Sequence, residues 1–198
     1  MPYEIVRRFE ERIAEYAGAR YGVAVESCTA ALFLCCKYLE VEKVEIPKHT
    51  YPGVACSIIN AGGKIQFDNC VWTHGYYQLC PYQIYDSALS FFRGMYIPGS
   101  LYCLSFHAKK HLPIGRGGMI LTDSELAATW LRKARFDGRN ECALKDDNID
   151  MVGWNMYLTP EAAARGLMLF DAIKDRDLPD LKVEDQGYPD LSLIKAYR

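Results

Sequence analysis

The sequence predicts an α/β fold with a mainly parallel sheet. Short apolar runs alternate with helix-period segments, two of those runs (Leu101 to Leu104 and Met119 to Leu121) are continuously apolar, and capping residues or glycines sit at most junctions. Phe9, Ile13, Tyr16 and Ala17 recur at helical intervals among Glu10, Glu11, Arg12 and Glu15, which predicts an amphipathic helix ending near Gly18. Tyr21 to Val25 reads as a strand, and Ala30 to Leu39, apolar almost all round, as a buried helix capped by Ser27 or Thr29. Val44 to Pro47 is the next strand, Pro52 to Ala61 a helix stopped by Gly62-Gly63, and Lys64 to Asp68 a third strand. Asn69 to Pro81 is aromatic and irregular and receives no assignment.

The pattern resumes with a short strand, Tyr82 to Tyr85, ending at Asp86. Leu101 to Phe106 and Met119 to Thr122 are two strands joined by a loop that carries Lys109 and Lys110 and closes on Gly115, Gly117 and Gly118. Asp123-Ser124 caps a helix reaching about Phe136, residues 135–150 form a charged loop, and Thr159-Pro160-Glu161 starts a helix through Ile173. The division expected is a compact domain over residues 1–173 and a charged tail over 174–198.

Composition excludes several classes of function. Half of the 198 residues are hydrophobic and the formal net charge is −2, so no basic excess points to nucleic acid. No apolar run approaches the roughly 20 residues that span a bilayer, and Met1-Pro2-Tyr3-Glu4 does not read as a signal peptide, so a soluble, cytoplasmic chain is expected. The eight cysteines show no repeated spacing and Cys35-Cys36 lie in an apolar stretch, which predicts reduced core thiols. The four histidines have no metal-ligand spacing stronger than His107 with His111, and no metal site is expected.

Four features carry chemistry. Ser27-Cys28-Thr29 at a strand-to-helix junction offers free N–H groups and hydroxyls to an anion, although helix capping alone also accounts for it. Tyr51 lies just past a strand end, where it could stack on a flat ring or join the core. Asp86 ends an apolar strand, where its carboxylate suits a protonated heteroaromatic nitrogen as well as it suits a helix cap. A lysine between two buried strands is partly desolvated and is left with more free amine, which makes a Schiff-base lysine worth weighing against a solvated Lys-Lys pair. Together these are the parts of a pyridoxal phosphate site.

In those parts the sequence resembles the DegT/DnrJ/EryC1/StrS sugar aminotransferases, a branch of the fold-type I pyridoxal phosphate enzymes. Ser27-Cys28-Thr29-Ala30-Ala31-Leu32 resembles the family's Ser-Gly-Thr-Ala-Ala-Leu turn, Thr50-Tyr51 its Thr-aromatic pair, and Asp86-Ser87-Ala88 its Asp-Ala-Ala. Ser105-Phe106-His107-Ala108-Lys109-Lys110 resembles its Ser-Phe-His-x-x-Lys, and Gly153-Trp154-Asn155 its Gly-Tyr-Asn. The resemblance implies a three-layer αβα large domain like that of aspartate aminotransferase, with the small C-terminal domain largely absent after Ile173.

It also implies roles. Lys110, rather than Lys109, is the Schiff-base lysine; Asp86 pairs with the pyridine nitrogen; Tyr51 stacks on the ring. Cys28, Thr29 and Ser105 hold the phosphate, and Asn155 reaches the phosphate of a neighbouring subunit, so a homodimer with shared sites is implied. The implied activity is amino transfer from a donor such as glutamate to a keto-sugar nucleotide, in polysaccharide biosynthesis. The alternatives are a homologue that binds pyridoxal phosphate or a sugar nucleotide without turnover, and a pyridoxal phosphate enzyme acting on an amino acid. Three departures stand out: Cys28 replaces glycine, where a positive φ would be strained; Leu89 replaces a polar residue that lies against the cofactor; and Tyr157 replaces an arginine.

Overall fold

The computed structural model describes residues 3–69, 72, 74–179 and 181–197. Helix α1 (Glu4–Ala17) ends on Gly18 in the left-handed conformation, and β1 (Tyr21–Val25) leads into α2 (Cys28–Tyr38), whose first turn is capped by Ser27. Then follow β2 (Lys43–Pro47), α3 (Pro52–Ala61), β3 (Lys64–Asp68), the short β4 (Tyr77–Gln78) and β5 (Ile84–Asp86). Strands β6 (Leu101–Ser105) and β7 (Gly118–Thr122) flank the lysine loop, and α4 (Glu125–Ala134) and α5 (Pro160–Ile173) complete the helices, capped by Ser124 and Thr159. Short 3-10 turns punctuate the region after residue 183.

Strand order in the five-stranded sheet is β1-β7-β6-β5-β4, and β2 pairs with β3 in a second sheet. Strands β5 and β6 are parallel, as are β2 and β3, whereas β7 is antiparallel to both of its neighbours and β4 to β5. An antiparallel bridge from Glu45 in β2 to Cys80, just past β4, links the two sheets. It sets β2 and β3 in the direction of β1, β5 and β6. The shared direction is therefore the majority one, as expected, with β7 and β4 reversed. Strand β4 falls in the stretch that had no sequence assignment, because two residues carry no periodicity.

Side chains alternate across the sheet into two cores. Val23, Val25, Cys103 and Ile120 face α2, α3 and α4, while Ala24, Tyr102, Leu104, Met119 and Leu121 face α1 and α5. Burial on both faces explains why these strands read as continuous apolar runs.

Glu10, grouped by sequence with the polar face of α1, is instead buried, as is Arg135 at the end of α4. The Glu10 carboxylate accepts from the Arg135 guanidinium and from the Ala24 N–H at 2.8 Å, and Arg132 approaches it at 3.5 Å. Arg135 also donates to the Ala24 carbonyl and lies 3.2 Å from Glu141. This ionic knot ties α1, β1 and α4 together beside the sheet.

Candidate active site

The lysine loop is tight. Ala108 N–H donates to the Gly115 carbonyl at 3.1 Å and Lys110 N–H to the His107 carbonyl at 2.9 Å, while Gly115 takes φ +102°, a conformation that favours glycine. Gly118 opens β7 directly against the start of α2. A Cβ there would lie 2.5 Å from the Ser27 carbonyl carbon and 2.6 Å from the Cys28 nitrogen. Since backbone cannot yield as a side chain can, Gly118→Ala is expected to cost about 1–3 kcal/mol in denaturant unfolding. An unchanged midpoint would show that this approach is not tight.

Above these junctions lies a cavity of about 700 Å³, within the range of small-molecule sites. The structure brings Cys28, Thr29, Tyr51, Asp86, Ser105 and Lys110 together around it. In the first turn of α2 the Ser27 hydroxyl caps Ala30 N–H at 3.0 Å, and the Cys28 and Thr29 amides belong to the end that has no intrahelical acceptor. Cys28 is an ordinary residue of α2 and is not among the residues with positive φ, so the strain anticipated from the glycine replacement does not arise. Its Sγ lies 3.9 Å from Asp86 Oδ1.

Asp86 is fully buried and accepts from Ala88 N–H at 3.0 Å and from the Tyr77 hydroxyl at 3.2 Å. Burial pushes its carboxyl above the usual range, while the Ala88 and Tyr77 bonds, the Lys110 charge and the Cys28 thiol pull it back. The Cys28 thiol itself is driven well up by burial and by Asp86, so it keeps its proton and acts as a weak donor. Lys110 is partly buried, and desolvation lowers its pKa against the pull of Asp86 and Cys28, with Lys109 adding to the lowering. Lys109 is exposed.

The sign for Asp86 follows from its raised folded-state value. Its contribution to stability is present below the ordinary carboxylate range and is lost as pH rises through the folded value. Asp86→Asn is therefore expected to stabilise the cofactor-free protein at neutral pH, the gain vanishing as pH falls through the carboxylate range. Thermal unfolding at several pH values checks this, and a loss of stability at neutral pH would contradict it.

Other expected residues stand elsewhere. Asn155 is exposed, outside this cavity, and its amide donates to Asp137 at 3.0 Å. Leu89 is buried in the core rather than lining the cavity, where Ala88 stands instead. Tyr157 packs edge-on against Tyr3 and Phe136. Sequence reasoning missed Trp72, Tyr77, Gln186 and Tyr188. Trp72 and Tyr188 stack at 5.9 Å within the cavity wall, and Tyr51 meets Tyr188 edge-on at 6.4 Å. The segment carrying Tyr188 is pinned by Leu191 N–H to the Lys48 carbonyl at 2.8 Å and by Lys48 to Asp190 at 3.6 Å. Aromatic density between residues 72 and 77 was the signal available for Trp72 and Tyr77; none pointed to 188.

The sequence model of the DegT/DnrJ/EryC1/StrS aminotransferase family matches residues 1–84 and 97–177. The chain belongs to that family. Asp86 falls in the unmatched gap, so its place at the cavity comes from the structure alone. Among curated proteins the chain is similar to the spore coat polysaccharide biosynthesis protein SpsC of Bacillus subtilis (strain 168), with 26% identity across 77% of this chain and 48% of SpsC. Its fold is similar to that of AtS13 from Actinomadura melliaura, with TM-score 0.74 and 21% identity over 84% of this chain and 59% of AtS13. It is likewise similar to the Helicobacter pylori aminotransferase PseC, with TM-score 0.73 and 15% identity over 85% of this chain and 57% of PseC. The chain thus spans about half the length of the curated relative it matches.

Membership in the DegT/DnrJ/EryC1/StrS family brings pyridoxal 5′-phosphate as the cofactor, and the cavity fits it. Helix-terminal amides and the Ser105 hydroxyl suit an anionic ester, a buried carboxylate suits a protonated ring nitrogen, and a desolvated amine suits an aldehyde. Among the described residues no cluster of side chains could hold a metal ion, and no helix is long and apolar enough to cross a membrane.

Proposed function

We propose that the chain carries out the aminotransferase reaction of its family, moving an amino group from an amino acid such as glutamate to a keto-sugar nucleotide. The observation that carries this reading is the convergence of Lys110, Asp86 and the first turn of α2 on one cavity. Residues 1–173 are the cofactor-binding unit in this reading, and 174–198 a segment that walls it.

Each residue has a task set by its surroundings. The Cys28 and Thr29 amides and the Ser105 hydroxyl hold the phosphate, and Tyr51 covers the ring face. Asp86 holds a proton on the ring nitrogen. Bound there, pyridoxal phosphate supplies an electron sink for the carbon that loses its proton. Lys110 Nζ, poised toward the free amine by desolvation, is the covalent anchor; once the amino donor displaces it, the same nitrogen takes the α-proton and returns it one position away. Trp72 and Tyr188 shield that side from water.

A sugar acceptor is supported by the relatives. SpsC is named for spore coat polysaccharide biosynthesis, and PseC for the biosynthesis of pseudoaminic acid. A homodimer is supported by the loop leading to Asn155, where three apolar side chains, Leu144, Ile149 and Val152, stand 64%, 54% and 84% exposed among charged residues and are suited to cover by a second copy. Adding glutamate to the cofactor-loaded protein without acceptor tests the reaction. The visible band of lysine-bound cofactor should give way to the shorter-wavelength band of its aminated form, with one equivalent of 2-oxoglutarate released. A band that persists unchanged would point to a chain that binds cofactor without turnover.

A further inference from the structure

We propose that Tyr77 is a positioning residue for Asp86, holding its carboxylate oriented and ionised through a buried relay in which Thr50 donates to Tyr77 and Tyr77 donates to Asp86. The proposal rests on reading Asp86 as the partner of the ring nitrogen. Thr50 Oγ1 lies 2.8 Å from the Tyr77 hydroxyl, and that hydroxyl lies 3.2 Å from Asp86 Oδ2. All three residues are buried. An ionised carboxylate can only accept, so the phenol proton points at Asp86 and the Thr50 proton must point at the phenol. The direction of both bonds is thereby fixed.

Lone-pair accounting shows what the relay leaves open. A carboxylate offers about four acceptor positions. Among the described residues, the Ala88 N–H and the Cys28 thiol approach Oδ1, at 3.0 and 3.9 Å, and only Tyr77 approaches Oδ2. One position on Oδ2 is left for a further donor, which a ring N–H of a cofactor bound in the adjoining cavity would supply.

The titratable groups around Asp86 are Cys28 on α2, Tyr77 on β4, Tyr102 and Cys103 on β6, Lys110 in the following loop and Tyr188 from the C-terminal segment. Lys110 is the single cation among them. Before the cofactor binds, neutral donors share with Lys110 the task of keeping the buried carboxylate ionised, and of their side chains the Tyr77 hydroxyl, at 3.2 Å, is nearer than the Cys28 thiol, at 3.9 Å. Burial and Asp86 together drive the Tyr77 phenol well above its usual value, so it stays a donor throughout the working pH range. Its ring is braced by Trp72, edge-on at 4.6 Å, which fixes the hydroxyl in place.

Tyr77→Phe deletes one oxygen and keeps the ring. Asp86 is followed without cofactor by the infrared carboxyl band that disappears in the Asp86→Asn difference spectrum. In Tyr77→Phe that band should titrate at higher pH than in the parent protein, with a smaller move in the same direction for Thr50→Val and no further move in the double variant. With cofactor bound, Tyr77→Phe should weaken pyridoxal phosphate affinity about tenfold, the usual worth of one hydrogen bond to a charged group, and its ring nitrogen should lose its proton at lower pH. An Asp86 band that titrates where it did before overturns the relay, whatever the cofactor does. Should the parent protein fail to bind pyridoxal phosphate while the band still moves, the assigned role of Asp86 falls and the relay stands. Unchanged unfolding midpoints for Tyr77→Phe and Thr50→Val at acid pH, where Asp86 is neutral, separate the electrostatic role from a packing one.

Discussion

Lys110→Ala is expected to abolish the visible absorption band of the cofactor-loaded protein and to lower amino transfer by roughly 10²–10⁴-fold, the usual worth of a placed acid-base group. Two properties of the site set that size. Desolvation at the cavity wall lowers the lysine pKa, so that more of the amine is free to attack, and in the proposed reading the neighbouring Asp86 would keep the ring nitrogen protonated. In that reading, removing the amine takes away both the anchor and the proton carrier; of the other amine and guanidinium groups at the cavity, Lys109 is exposed on the loop, and Arg116 is 71% exposed and paired with Glu26 at 2.8 Å. A full-strength band in the variant would place the reactive amine elsewhere.

Glu10→Ala has the largest expected effect on stability. Truncation leaves the Arg135 guanidinium buried with only the Ala24 carbonyl and Glu141 as partners, and it frees the Ala24 N–H. Breaking a buried ion pair from one side costs about 3–5 kcal/mol, a large part of the stability of an ordinary domain. Urea unfolding should show the unfolding free energy falling by that amount, read as a lower midpoint at constant slope. Glu10→Met paired with Arg135→Leu should recover most of it, because an apolar pair leaves no stranded charge. A single-variant loss under about 1 kcal/mol would mean that water reaches the knot.

The sequence made the element order and the site legible for physical reasons. Helix starts at Ser27, Ser124 and Thr159 carry side chains that cap by forming hydrogen bonds to their own first turns, so local chemistry announces them. The strands around Lys110 read clearly because both faces are buried. Glu10 did not: it falls on the apolar stripe of α1 with Val6, Ile13 and Ala17, but an acid there has no visible partner in the sequence, and the distant Arg135 together with the Ala24 N–H makes its burial tolerable. Tyr188 was illegible for a related reason, since its partners Trp72 and Tyr51 lie far along the chain, and aromatic density alone did not show that Tyr77 meets both Thr50 and Asp86. The reversal of β7 was hidden as well, because an apolar run carries no sign of direction.

Borohydride reduction of the pyridoxal phosphate-loaded protein, followed by peptide mass mapping, tests the central claim most directly. The cofactor should be found on the Lys110 side chain at close to one per chain. Label on Lys109, spread over surface lysines, or absent altogether would contradict the site described here.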